Sequence, residues 1–258
     1  AYTFWAGLIG GAFLTLGTHG TDQMFVQRAL AARSQSDAGR ALIGSGFVVF
    51  VQFALFLFVG IALAAFYAAN PPEEPFSSGD RVFSSYIVHQ LPAGVGLIGL
   101  LLASVFSAAM STLSSSLNSS ATAVVADWWS KSDADMQDQR AVTISRSLTV
   151  AFGIVQIVIG IWAADFDESV ISNALAIAGF SAGLLLGLFA LGTFRKNAGQ
   201  LSGLAGLTGG LLIMLWIKFG ISYPVAWPWL PVIGSFSTYA IGSLASAFER
   251  RRQLQAQR

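Results

Sequence analysis

The sequence predicts an all-α, polytopic membrane protein. Of its 258 residues, 54% are hydrophobic and only 10% are charged, whereas charged residues make up about 25% of a typical soluble domain. The mean hydropathy of +0.65 agrees. Long apolar segments also recur along the whole chain. Together these observations exclude an ordinary soluble domain.

Seven apolar segments approach the roughly 20 residues that a helix needs to cross a bilayer. They lie at residues 3–32, 40–68, 96–129, 141–164, 169–194, 200–219 and 229–249. Between the second and the third lies a less apolar stretch, 70–92, which we interpret as an external loop with a short surface helix. We therefore expect about seven transmembrane helices.

The charged residues predict the orientation of these helices. Arginine and lysine concentrate in the cytoplasmic loops of membrane proteins, and here nearly all of them fall on alternate loops, while the opposite loops are mainly acidic. We predict a multi-pass protein of the plasma (inner) membrane with a cytoplasmic C-terminus. Because the chain starts at Ala1 within a helical pattern, we also expect it to be the C-terminal part of a longer protein.

Other functions find little support in the composition. The chain has no cysteine, which excludes disulfides and cysteine-ligated metals. Its two histidines, His19 and His89, have no paired carboxylates in the spans, so we expect neither an enzyme nor a histidine metal site. A net charge of +1 gives no reason to expect a nucleic-acid partner.

The segment at 101–129 combines an apolar ridge with a stripe of small polar residues. The ridge consists of Phe106, Met110, Leu113 and Leu117. The stripe consists of Ser104, Ala108, Ser111, Thr112, Ser115, Asn118 and Thr122. Within the stripe, Ala108, Ser111 and Thr112 are spaced i, i+3 and i+4, which brings two hydroxyls beside a carbonyl oxygen one turn earlier.

Three uncharged oxygens in a dry place suit a small monovalent cation. Hard cations prefer oxygen ligands, and a site without a carboxylate is weak for a divalent ion. The alternative is that these small residues pack a close helix–helix interface in lipid. The spacing alone leaves both interpretations open.

The first span carries two glycines, a histidine, a carboxylate and an amide near its middle. Interrupted backbone at membrane depth is tolerated where it lines a cavity or is buried in protein, and discontinuous helices mark substrate sites in transporters. We predict a break near Thr15 to Gly20. The alternative is a continuous helix in which Gly17 and Gly20 provide close packing.

Both segments resemble parts of the solute:sodium symporter family, which includes the sodium–glucose, proline, iodide and monocarboxylate cotransporters. Residues 104–129 are similar to the family's sodium-site helix. The first span and its continuation look like the family's G-x-[N/D]-Q segment and the Q-R and basic-Ser residues after it, here Gly20-Thr21-Asp22-Gln23, Val26-Gln27-Arg28 and Ala31-Ala32-Arg33-Ser34. The resemblance runs from about residue 1 to residue 195.

The resemblance implies a five-plus-five inverted-repeat core. Residues 1–195 would be the second repeat, with its broken helix at 3–32 and its sodium helix at 96–129, and residues 196–258 would be peripheral helices and a basic cytoplasmic tail. The first repeat, which this chain lacks, would supply the remaining sodium-coordinating carbonyls and half of the substrate cavity. The expected partners are thus the missing N-terminal half of the same protein, sodium, a small solute and the bilayer.

The resemblance also implies residue roles. The carbonyl of Ala108 and the hydroxyls of Ser111 and Thr112 would bind sodium, the coupling ion, and no other metal is implied.

Thr15 and Thr18 fall where sugar-transporting relatives place an asparagine and a tyrosine. Val49 falls where those relatives place a lysine. None of the three keeps the sugar-binding residue type, which argues against a sugar as substrate.

We name Thr15, Thr18, His19 and Gln52 as candidate substrate-binding residues. His19 could bind a carboxylate-bearing substrate or relay protons, or it could be neutral and hydrogen-bonded to backbone carbonyls. Gln52 could bind substrate or make an interhelical hydrogen bond.

We name Asp22, Arg28 and Asp127 as candidate gating residues. A carboxylate near mid-bilayer is costly unless it is paired or hydrated, so Asp22 would line the inner permeation path or cap the second half of the broken helix. Asp127 could pair with Arg28 or Arg33 as a cytoplasmic latch, or it could be a solvated helix end.

These expectations predict sodium-coupled symport of a small organic or anionic solute by alternating access. The alternative is a sensory membrane module, since related modules occur fused to histidine kinases.

Overall fold

The computed structural model describes residues 3–72, 74–92, 94–129, 139–163, 169–221 and 225–256. Within these ranges the chain is helical and contains no strand. The nine α-helices formed there are α1 (Phe4–Thr21), α2 (Gln23–Leu30), α3 (Gln35–Ala69), α4 (Asp80–His89), α5 (Leu97–Val124), α6 (Gln139–Ala163), α7 (Val170–Phe194), α8 (Gln200–Phe219) and α9 (Trp229–Ala256). A π-helical turn, Val125–Trp129, continues α5.

The fold is that of a polytopic membrane protein. Five helices of the described chain are long and apolar enough to cross a membrane, namely α3, α5 with its π-helical turn, α6, α7 and α8. The predicted first and seventh spans are helices too, α1 with α2 and α9, but they are not among these five. Both carry several polar side chains within their apolar stretches. The short helix predicted between the second and third spans is present as α4, and the external position of this loop stays a prediction.

The helix break lies later than we predicted. α1 continues without interruption through Thr15 and Gly20, and the helix is broken at Asp22, whose backbone is extended (φ −79°, ψ 121°). The predicted position is wrong because the hydroxyls do not compete with the helix: Thr18 Oγ1 donates to Thr15 O at 3.2 Å, and Thr21 Oγ1 donates to Gly17 O at 2.7 Å. Such back-bonding satisfies a hydroxyl inside a helix.

The described helices pack as two compact units. Unit 1 is formed by α1, α7, α8 and α9, and unit 2 by α3 to α6, with the boundaries at Val26/Gln27 and Ser169/Val170. This division reflects packing within the chain. The boundary at residue 195, which rests on the repeats of the family, stays a prediction.

In unit 1, close helix packing depends on glycine. Gly179, Gly183 and Gly187 follow each other at intervals of four on α7, so they share one face. A methyl group at Gly183 would lie 2.9 Å from Cα of Pro231, and one at Gly187 would lie 2.5 Å from the carbonyl oxygen of Ser235. Small residues at this spacing let the backbones of membrane helices approach closely.

Helix α9 contacts each of the other three helices of unit 1, α1, α7 and α8. A methyl group at Gly206 of α8 would lie 2.8 Å from the carbonyl oxygen of Thr238 on α9. The buried core consists of Leu184, Met214 and Leu230, contributed by α7, α8 and α9. The last two helices pack directly on α7, and α9 packs on α1 as well. Their peripheral position relative to a repeat core stays a prediction.

In unit 2, α5 packs on α6, and α4 contacts both α3 and α5. The apolar ridge of α5 reaches α6 at Leu117, whose Cδ1 lies 4.0 Å from the position of a methyl group at Gly153. Helix α3 buries none of its residues within the described chain. Its long apolar surface suits contact with lipid or with further protein.

Candidate sodium and substrate sites

The stripe of small polar residues forms part of a regular helix because its hydroxyls bond back to their own backbone. Ser104 Oγ donates to Leu100 O at 2.8 Å, and Thr112 Oγ1 donates to Ala108 O at 3.2 Å. A hydroxyl satisfied in this way interrupts no helical hydrogen bond. The sequence can therefore place several oxygens on one face of α5 without breaking the helix.

Two of the three predicted sodium ligands are adjacent in the structure. The 3.2 Å between Thr112 Oγ1 and Ala108 O matches two ligands of one ion. With ion–oxygen distances of about 2.4 Å, these atoms would subtend about 84° at the ion, near the right angle of octahedral coordination. Binding would require the Thr112 hydroxyl to turn its hydrogen away from Ala108 O.

Ser111 lies three residues after Ala108, on the same face. Ala108, Ser111 and Thr112 are all exposed within the described chain, so ligands from outside this face have room to approach. The donor set, one carbonyl and two hydroxyls, fits a sodium ion in charge and in hardness. No cluster of three His, Asp or Glu residues that could hold another metal occurs in the part of the chain that the structure describes.

Three of the four candidate substrate residues lie together on the last two turns of α1. His19 Nδ1 lies 3.1 Å from Thr15 O and 3.2 Å from Thr18 Oγ1. The His19 ring also stacks on Phe25 of α2, with the ring centroids 4.6 Å apart. The contact with Thr15 O matches the second interpretation of His19, a ring hydrogen-bonded to a backbone carbonyl. The contact with Phe25 links α1 to α2 across the break.

Gln52, the fourth candidate, is an exposed residue of α3 in unit 2. The interhelical hydrogen bond that we considered for its amide is not made to any residue of the described chain. Its proposed contact with substrate stays a prediction.

Asp22 ends α1 and starts α2. Its backbone N–H bonds to Thr18 O at 3.3 Å, and its carboxylate Oδ1 accepts a hydrogen bond from Met24 N at 2.9 Å. Aspartate is among the preferred residues at helix N-caps, where the helix dipole also favours a negative charge. The capping interpretation of Asp22 is thus confirmed, and a role in gating stays a prediction.

Arg28 contacts α5 and not Asp127. Its Nη2 donates to Ser115 Oγ at 3.2 Å. Asp127 lies in the π-helical turn after α5 and is exposed, and no ion pair joins it to Arg28 or Arg33 in the described ranges. The position of Ser115 on the polar stripe was evident from the sequence, but its pairing with a residue 87 positions away had no sequence signal.

Comparison with known proteins gives the family. The family model "Sodium:solute symporter family" matches residues 2–210. The chain is 30% identical to sodium-coupled monocarboxylate transporter 2 of Danio rerio over 224 residues, which is 85% of this chain and 35% of the relative. It is 32% identical to the sodium/sialic acid symporter NanT of Aliivibrio fischeri over 214 residues, which is 82% of this chain and 42% of the relative.

A solved structure agrees with these sequence matches. The substrate-bound, outward-open state of a Na⁺-coupled sialic acid symporter superposes with a TM-score of 0.77 and 27% identity, covering 96% of this chain and 51% of that one. The chain thus spans about a third to a half of the length of the relatives it matches. These relatives are transporters, and nothing in them favours the sensory alternative or an enzyme. This chain belongs to the sodium:solute symporter family.

Proposed function

We propose that the chain is the part of a sodium-coupled symporter that binds one sodium ion and contributes to the binding of a small solute. The observation that carries this proposal is the 3.2 Å approach of Thr112 Oγ1 to Ala108 O on an exposed face of α5. It provides two uncharged oxygen ligands at the spacing of one ion, in a chain of the matching family.

The remaining ligands would come from outside this chain. Two or three oxygens on one helix face leave most of the coordination shell of the ion open, and the relatives contain at least as much sequence again as this chain matches. We infer that the segment corresponding to their N-terminal half completes both the ion site and the substrate cavity. In this division, residues 1–195 are the second repeat and residues 196–258 are the added C-terminal helices and tail.

Sodium would drive uptake through its gradient and the membrane potential. One positive charge that enters across about 100 mV releases roughly 2.3 kcal/mol. Coupling requires that the ion and the solute each bind more tightly to the same conformation, so that each raises the affinity of the other. No covalent step is required.

The solute is an organic anion in this proposal. The relatives described above are named for monocarboxylates and sialic acid, both of which carry a carboxylate. Thr15, Thr18 and His19 form a cluster of hydrogen-bonding groups at the end of α1 that suits such a group. Gln52 of α3 would supply a further amide.

Alternating access would use the break at Asp22. Short non-helical positions between helices are where hinge motions are absorbed, and the extended backbone of Asp22 separates α1 from α2. Asp22 would act as hinge and cap, while Arg28 and Asp127 would lie on the cytoplasmic side of the path. In this proposal the protein lies in the plasma membrane. Its basic loops and its C-terminus face the cytoplasm, because basic residues concentrate on that side.

The test is the sodium dependence of solute uptake by the full-length protein in proteoliposomes. Replacing both hydroxyls (Ser111→Ala with Thr112→Ala) should raise the half-saturating sodium concentration tenfold or more, because each lost ligand costs about 1 kcal/mol. Ser104→Ala is the matched control, since its hydroxyl lies on the same stripe but two turns away. Unchanged sodium dependence in the double variant would remove the cation role, and a wild-type protein without sodium-driven uptake would favour the sensory alternative.

A further inference from the structure

The contact between Arg28 and Ser115 has a consequence for the sodium site. It joins the segment that follows the helix break to the helix that carries the ion ligands, with Arg28 Nη2 3.2 Å from Ser115 Oγ. Both residues belong to unit 2. The contact thus connects α2, which begins immediately after Asp22, with the polar stripe of α5.

Ser115 lies one turn beyond the ion ligands. It follows Ser111 by four residues and Thr112 by three, and residues at these separations are neighbours on a helix, with about 5–6 Å between their Cβ atoms. A guanidinium bonded to Ser115 therefore places a permanent positive charge about one turn from the ion. Within the described ranges, Arg28 makes no ion pair that would compensate this charge.

We propose that Arg28 competes electrostatically with sodium and so makes ion binding depend on the position of α2. This inference rests on the proposed sodium site. With α2 held against Ser115, the guanidinium repels an ion at Ala108, Ser111 and Thr112. An ion at the site in turn favours movement of Arg28, and with it α2, away from the stripe.

This arrangement assigns Arg28 a positioning role in coupling the ion to the hinge. A bound ion and the contact of Arg28 with Ser115 would disfavour each other. By thermodynamic linkage, each would lower the equilibrium constant for forming the other by the same factor. When Arg28 returns to Ser115, it would promote release of the ion. At an effective dielectric constant near 20, like charges about 7–10 Å apart change a binding constant by roughly 15- to 55-fold, and screening by salt reduces this to a several-fold effect.

The experiment measures the sodium concentration at half-saturation in the full-length protein, by binding in detergent and by uptake in proteoliposomes. Arg28→Gln should lower this concentration three- to tenfold, because the repelling charge is gone. Arg28→Lys, which keeps the charge, should lower it less. Ser115→Ala should lower it as well, because the guanidinium loses its anchor, and combined with Arg28→Gln it should add nothing further.

A charge effect is separated from a purely structural one by ionic strength. Raising choline chloride should tighten sodium binding in the wild type, because salt screens the repulsion, and should have no such effect in Arg28→Gln. Arg33→Gln is the matched control. It removes an exposed charge that makes no hydrogen bond or ion pair with α5 in the described chain. The half-saturating concentration should therefore stay within about twofold of wild type, because salt screens exposed charges.

The outcomes are distinguishable. If Arg28→Gln weakens sodium binding or leaves it unchanged while the Ser111/Thr112 double variant weakens it, this inference is wrong and the proposed function stands. If the double variant has no effect either, the sodium site itself is wrong. If Arg28→Gln does not fold, Ser115→Ala decides, because it leaves the arginine in place.

Discussion

The hydroxyl oxygen of Thr112 and the carbonyl oxygen of Ala108 lie 3.2 Å apart on one face of α5. Because the two oxygens are adjacent, substitutions of Thr112 should change the sodium dependence of uptake. Thr112→Val keeps the branched shape of the side chain but removes its oxygen, so we expect the half-saturating sodium concentration to rise about five- to tenfold, the worth of one such oxygen. Thr112→Ser keeps the oxygen and should stay near wild type in the same uptake assay.

Thr122 offers the control for this pair of variants. It lies on the same stripe, ten residues further along the helix, which is about 15 Å at 1.5 Å per residue. Thr122→Val should leave the sodium dependence unchanged. Equal effects of the valine and serine variants at position 112 would contradict the role of its hydroxyl.

Much of this site could be predicted from the sequence because helical periodicity is local. The face of α5 that carries Ala108, Ser111 and Thr112 follows from residues three and four positions apart, and the ends of α8, Gln200–Phe219, are those predicted. The position of the break was not predictable in the same way. It depends on whether the hydroxyls of Thr18 and Thr21 bond to the backbone of their own helix. The same residues could instead compete with the helical hydrogen bonds, and the sequence does not distinguish the two cases.

Contacts between distant segments could not be predicted from periodicity. The glycines of α7 suggest close packing, but the sequence does not say which helix they face. Likewise, Arg28 pairs with Ser115 only because the tertiary arrangement brings its side chain within reach of α5. Such pairings depend on the arrangement of whole helices, which no local pattern encodes.

The carboxylate of Asp22 caps α2 through Met24 N at 2.9 Å, and this predicts the effect of two substitutions. Asp22→Ala should lower the free energy of unfolding by about 1 kcal/mol, the usual cost of losing such a cap. Asp22→Ser keeps a capping oxygen and should restore most of that loss. Thermal unfolding in detergent measures the stability, and sodium-driven uptake measured in parallel shows what the cap contributes to transport.

The serine variant also separates capping from charge. If capping is what uptake requires, Asp22→Ser should transport nearly as well as wild type. An Asp22→Ser protein that is stable but as inactive as Asp22→Ala would show instead that the negative charge acts in the permeation path.

Gly187 of α7 lies against α9 so closely that a methyl group there would be 2.5 Å from Ser235 O and 2.7 Å from Thr238 Cβ. Ser235 O is a backbone atom, and Thr238 Cβ is attached directly to the backbone of a buried residue, so neither can move far without shifting α9. Gly187→Ala should therefore destabilise the protein by about 1–3 kcal/mol through overpacking, seen as a lower thermal midpoint in detergent.

Gly192, on the same helix, is the matched control because a methyl group there would meet no atom of the described chain within 4 Å. Gly192→Ala should be neutral or stabilising by up to about 1 kcal/mol, since alanine is the better helix former. If both variants lower the midpoint equally, the loss comes from helix geometry and not from the contact with α9.

Glu249 of α9 binds a serine hydroxyl in the first turn of α8. The buried Ser202 hydroxyl donates to Glu249 Oε2, and the N-cap residue of α8, Gly199, has no side chain of its own to cap the helix. A negative charge is favourable beside the unpaired N–H groups of a helix N-terminus. Glu249→Ala should therefore cost about 1–3 kcal/mol, because it leaves the buried Ser202 hydroxyl without its partner.

A double-mutant cycle tests whether Glu249 acts through Ser202. Ser202→Ala alone should cost about 1 kcal/mol, and the double variant should cost clearly less than the two single losses together, since removing either partner already breaks the shared hydrogen bond. Glu249→Gln keeps an acceptor but loses the charge, so it should cost only about 0.3–1 kcal/mol, the dipole contribution. Strictly additive losses in thermal unfolding would mean that the two side chains stabilise α8 and α9 independently, and that the glutamate does not act through Ser202.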